Sequence, residues 1–120
     1  MARSLIAAAV AAFLLTGCGA SAPTHEPTVY VLSDDVIADL AGGGYATVTI
    51  GLQVRSGLDA AEAQSGIVRE IVTNDLTGID RRELLDHARR DDLKLKLARD
   101  IRRRTDISLD GVLLTDITLR

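Results

Sequence analysis

Tyr45-Ala-Thr-Val-Thr-Ile-Gly-Leu-Gln-Val-Arg55 (YATVTIGLQVR) is the stretch whose reading decides the architecture. Its even positions are Ala46, Val48, Ile50, Leu52 and Val54. The odd positions from Thr47 are Thr47, Thr49, Gly51, Gln53 and Arg55. Successive side chains of a strand point to opposite faces, so this period of two predicts a strand with one buried and one wet face. A sheet with a solvated face is usually antiparallel.

Upstream, Gly42-Gly43-Gly44 permits positive φ and predicts a tight reversal. It lacks the Gly-Lys-Ser/Thr ending of a phosphate-binding loop and precedes no helix. Asp35–Ala41 reads as a short strand or one helical turn, which seven residues cannot settle by period. Val29-Tyr30-Val31-Leu32 favours β structure.

Downstream, Ser56-Gly57-Leu58 breaks the strand. Asp59 followed by Glu62 resembles a capping box, with Asp59 as the cap. Ala63, Ile67, Val68, Ile71, Val72 and Leu76 then form a helical stripe ending at Thr77-Gly78. Gly66, inside that helix, is read as allowing a close packing approach. Asp80 and Glu83 open a short second helix through Leu84, Leu85 and Ala88. Asp91 and Asp92 open a third segment to about Arg104, with Leu93, Leu97 and Ile101 buried. Its acid-first, base-last order suits the helix macrodipole better than a strand. Ile107–Leu119 closes the chain as a long strand, with a bend or bulge at Gly111. Strands, two or three helices, then a strand predict an α+β domain: a small antiparallel sheet with the helices on one face.

The N-terminal region reads differently. Arg3 precedes Leu5–Leu15 (LIAAAVAAFLL), an uncharged run too short to span a bilayer, which takes about 20 apolar residues. Basic start, apolar middle and small residues before a cut describe an export signal. Leu15-Thr16-Gly17-Cys18 resembles the bacterial lipobox. That resemblance implies cleavage after Gly17, with Cys18 carrying a thioether-linked diacylglycerol as the new N-terminus. Two acyl chains hold a membrane stably where one does not. The expected organisation is therefore a signal at 1–17, a tether at 18–27 that is small, polar and proline-bearing, and a folded domain at 28–120.

The totals narrow the function. The chain has 14 Lys and Arg against 17 Asp and Glu, and the segment from Cys18 onward loses only Arg3, taking the net charge from −3 to −4. A general nucleic-acid binder is not expected from that balance or from an export address. Cys18 is the only cysteine, so there is no disulfide framework. With no Trp, and Tyr30 and Tyr45 the only aromatics after the signal, a ring-stacking sugar platform is not expected.

Three stretches together resemble the flagellar basal-body-associated FliL family. The first is Ala38–Val54 (ADLAGGGYATVTIGLQV), a short strand turning through small residues into a long one. The second is Val68-Arg69-Glu70-Ile71-Val72 followed by Leu76-Thr77 and Arg82-Glu83-Leu84-Leu85. The third is Leu97–Arg103 with Gly111-Val112-Leu113-Leu114-Thr115-Asp116-Ile117. The likeness spans most of 28–119. It implies a non-enzymatic, stomatin-like extracytoplasmic domain that forms homo-oligomeric rings around flagellar stator units and supports motility. Two departures stand out. A lipobox replaces the family's spanning helix, so only the external domain would reach a stator. Leu113, Leu114 and Ile117 occupy aromatic positions of the closing strand. The competing reading is an envelope-surface binding lipoprotein of similar shape with no motility role.

Candidate chemistry is sparse. Lys94, Lys96, Arg99, Arg102, Arg103 and Arg104 form a basic cluster, either an interaction surface for anionic lipid or an acidic neighbour, centred on Lys94, Arg99, Arg102 and Arg103, or a solvated helix face. Asp34, Asp35 and Asp39 lack the glycine and distal glutamate of a calcium loop. His25 and His87 have no second ligand at metal spacing. No G-x-S-x-G context supports a catalytic triad, so no catalytic residue, metal or cofactor is expected.

Overall fold

The period-two stretch forms the central strand of the sheet. The computed structural model describes residues 28–120, so the export signal, Cys18 and the tether lie outside the described residues. Its elements run β1 (Thr28–Val31), β2 (Val36–Asp39), β3 (Tyr45–Ser56), α1 (Leu58–Ala63), α2 (Ser65–Leu76), α3 (Arg82–Leu85), α4 (His87–Arg104) and β4 (Ser108–Leu119). All pairings are antiparallel.

β1 and β2 share one edge of β3 and behave as one interrupted strand. Val31 sits opposite Gly51 and Val36 opposite Val48, with Ser33–Asp35 bulging between. Within Asp35–Ala41, Val36–Asp39 resolves as strand, because β3 supplies it with a hydrogen-bonded partner. β4 pairs along the other edge of β3. Ala46, Val48, Ile50, Leu52 and Val54 are all buried beneath the helices, as their spacing predicts. Val68, Ile71, Val72, Leu76, Leu84, Leu93, Leu97 and Ile101 meet them from the helical side. The result is the expected α+β layering.

The helix boundaries differ from the sequence reading. Four helices stand where two or three are predicted. The first predicted helix breaks at Gln64, whose side-chain Oε1 accepts a hydrogen bond from the Asp106 backbone N–H at 3.0 Å. The break shifts the stripe: Ala61 is buried, while Ala63 and Ile67 are exposed. Gly57 in the left-handed region, not Asp59, is the N-cap of α1. The long helix begins at His87 rather than Asp91, because Asp86 Oδ2 caps it by accepting from Arg89 N–H at 3.1 Å. In β4 the extra residue is Asp110, beside Gly111, and a second register shift falls at Asp116, which adopts φ 49°. Such irregularities twist an exposed edge away from further pairing.

Gly66 does not serve a close approach. A methyl group there would meet nothing within 4 Å. Its φ is not positive, so Gly66→Ala gains helix propensity without strain. The expected effect is a stabilisation of about 0.5–1 kcal/mol, read as a higher urea midpoint at unchanged slope.

Candidate functional site

The basic cluster lies on α4, and helix geometry divides it. At about 100° per residue, Lys94, Arg102, Arg99 and Arg103 spread over roughly half the helix circumference. Leu93, Leu97, Ala98 and Ile101 take the inner face. The four predicted interaction residues therefore do not form one patch.

Three of the four have a local partner. Arg102 straps the end of α4 to the start of β4, donating from Nε to Leu109 O at 3.0 Å and from a terminal nitrogen to Asp110 O at 3.3 Å. Lys94 pairs with Asp91 at 3.4 Å. Lys94 and Arg102 flank a groove of about 300 Å³ between α4 and β4, floored by Ala98 and Val112. Arg99 points outward and lies 3.7 Å from Asp100. Arg103 turns towards α2, and Arg104 pairs with Glu70 of α2 at 3.8 Å. Arg102, Arg103 and Arg104 also sit in the last helical turn, where positive charge complements exposed carbonyls. The arrangement explains the cluster's position without an external ligand.

Of the acids that lack a calcium-loop pattern, Asp34 and Asp35 are separately engaged. Asp34 pairs with Arg69 at 2.8 Å, and Asp35 accepts from the Thr49 hydroxyl at 2.8 Å. His87 sits at the start of α4, 3.5 Å from Asp91.

One constellation escapes sequence reading. Asp75 of α2 and Asp100 of α4 meet in a cleft of about 190 Å³ bordered by Ile71, Asn74, Arg103 and Arg104. Asp75 Oδ2 is buried and has no conventional donor among the described residues. Burial pushes the Asp75 carboxyl up to about 6, and its hydrogen bond to Asp100 and the charge of Asp100 push the same way. Lys96 and Arg99 oppose that rise. Asp100 is held below the usual carboxylate range, first by accepting from Asp75 and then by the Arg99, Arg103 and Lys96 charges. Below about pH 6 the Asp75 carboxyl keeps its proton, and the two acids then carry a single negative charge between the two helices. The cleft is below the usual size of a small-molecule pocket, about 300–1,000 Å³.

The pair makes stability pH-dependent. A carboxyl raised in the fold contributes fully below its unfolded value and loses that contribution as pH rises through its folded value. For Asp75 the window runs from about 4 to about 6. Asp100, shifted down, loses its contribution only in stronger acid. Allowing for partial solvent screening, stability falls by about 1–2 kcal/mol between pH 4.5 and 7.5. Asp75→Asn carries no proton to lose and flattens that slope. Urea unfolding across this range checks it; an unchanged slope in the variant removes Asp75 as the cause.

Neither a protein-family model nor a curated protein matches the chain.

Proposed function

We propose that this chain is a lipid-anchored, non-enzymatic scaffold on the extracytoplasmic face of a bacterial membrane, serving the flagellar basal body. In this reading Cys18 carries the anchor and residues 28–120 form the assembling module. Copies cluster as a homo-oligomer beside the stator units and support rotation and swimming. The observation that carries the reading is the order of segments: a lipobox, a short tether, then a strand–helix–strand domain resembling the FliL family along most of its length. The α4 arginines fit a structural module, since Arg102 binds the chain's own backbone and Arg104 its own Glu70. No helix among the described residues is long and apolar enough to cross a membrane.

Deletion in a flagellated host tests the proposal. Reduced swimming and motor torque, restored by the wild-type gene but not by Cys18→Ala, are expected. Normal torque without the gene sinks the motor role. Cross-linking in the native membrane is expected to yield discrete high-order oligomers. A monomer whose melting responds to an envelope component supports the binding-lipoprotein alternative instead.

A further inference from the structure

The sheet has a second face, and its character is unlike the rest of the molecule. Tyr45, Thr47, Thr49, Gly51 and Gln53 of β3 point away from the helices, and none is charged. Their partners across β1 and β2 are Val29, Val31 and Ile37, with Asp39 at the end. Across β4 they are Leu113, Thr115 and Thr118. Gly51 lets the apolar side chains converge: a methyl group there would lie 3.3 Å from Val29 Cγ1 and 3.4 Å from Leu113 Cβ. Val31 and Ile37 remain 53% and 61% exposed. By contrast, α4 alone carries eleven Asp, Lys and Arg side chains in 18 residues.

We propose that this open face of the sheet lies against the lipid bilayer, with Val29, Val31, Ile37 and Tyr45 entering the interfacial region. The inference rests on the anchored reading of Cys18. The apolar residues are on the strands that continue directly from the tether: β1 begins at Thr28, ten residues after Cys18. Ten residues reach at most about 33 Å, so the lipid surface is always within range of this face.

Twelve residues by three strands give a flat footprint of roughly 40 by 14 Å, or about 560 Å². A bilayer contact needs no complementary partner surface of that extent. The anchor makes it intramolecular, at an effective concentration on the order of millimolar, so a weak contact is populated. Charge does border this face: Asp35 accepts from the Thr49 hydroxyl at 2.8 Å, Asp39 stands opposite Tyr45, and Arg55 pairs with Asp110 at 3.0 Å. Contact is therefore confined to the hydrated head-group layer, where these groups stay solvated while Val31 and Ile37 enter.

The chain contains no tryptophan, which gives a clean probe. Full-length protein purified with its acyl chains is placed in phosphatidylcholine–phosphatidylglycerol vesicles, with and without brominated lipid. Ile37→Trp and Val31→Trp are compared with Leu85→Trp on α3, whose native side chain is also 61% exposed but lies in the helical layer. Blue-shifted emission and several-fold stronger quenching at positions 31 and 37 than at 85 are expected. Equal quenching at all three, or none at 31 and 37 in protein that still floats with the vesicles, overturns the inference while leaving the anchor intact. Efficient Ile37→Cys cross-linking between copies with no quenching assigns the face to a second copy and also overturns it. Failure to float, with an unacylated Cys18 by mass spectrometry, removes the anchored reading and this inference together.

Discussion

Ile50→Ala lowers the unfolding free energy by about 4 kcal/mol, while Ile37→Ala in the same sheet changes it by less than about 0.5 kcal/mol. Both residues are isoleucines in strands, so intrinsic β-propensity cancels in the comparison. What differs is burial. Ile50 is completely buried on the helical face of β3, where it joins the main apolar cluster, and its cross-strand partner is Leu114. Its backbone is held as well, with Leu32 N–H donating to Ile50 O at 3.0 Å. Truncation removes about three methylene-sized groups and leaves a void that regular sheet neighbours cannot collapse into. Ile37 is 61% exposed on the open face, so its truncation mostly exchanges one solvated surface for another. Urea unfolding in lipid-free buffer measures both. A loss under about 1.5 kcal/mol at Ile50 means the helical layer shifts to fill the space and the core is not close-packed there.

That contrast also locates what was readable in the sequence. The alternation from Ala46 to Val54 runs long enough to specify strand, buried face and antiparallel pairing, because a one-residue slip would turn every apolar side chain outward. The apolar character of the open face was not readable from β3, whose outward residues are Thr, Gly and Gln. It arises from Val29, Val31 and Ile37, contributed by flanking strands whose register becomes visible only in the fold. Helix existence was legible and helix boundaries were not. Asp59, Asp80 and Asp91 all have the composition of caps. Of these only Asp80 receives a backbone N–H, from Arg82 at 2.9 Å, and the cap of the long helix is Asp86. The Asp75–Asp100 pair had no sequence signal, since the two residues sit on different helices and meet only when α2 packs on α4. The basic cluster was visible, but its separate occupations depend on the helix phase and on where β4 begins.

Gly44→Ala is the second large effect, a loss of about 3 kcal/mol, against about 1 kcal/mol for Gly42→Ala. The two glycines share one loop and nearly one backbone conformation, with φ of +81° and +82°. Strain from a left-handed alanine is therefore common to both. Their surroundings differ. A methyl group on Gly42 meets nothing within 4 Å. One on Gly44 overlaps the backbone carbonyl of Arg120 and comes within 2.9 Å of the Arg81 guanidinium. That carbonyl cannot withdraw freely: it accepts from Tyr45 N–H at 3.2 Å, while Arg120 N–H donates to Tyr45 O at 2.9 Å. These two bonds close the end of the β3–β4 ladder, and Gly44 O accepts from Leu40 N–H across the turn at 3.0 Å. Relieving the overlap breaks the Tyr45–Arg120 pair, so faster amide exchange at Tyr45 accompanies the lower urea midpoint. Equal losses at Gly42 and Gly44, with Tyr45 still protected, mean that the overlap is relieved without cost and only the shared φ strain remains.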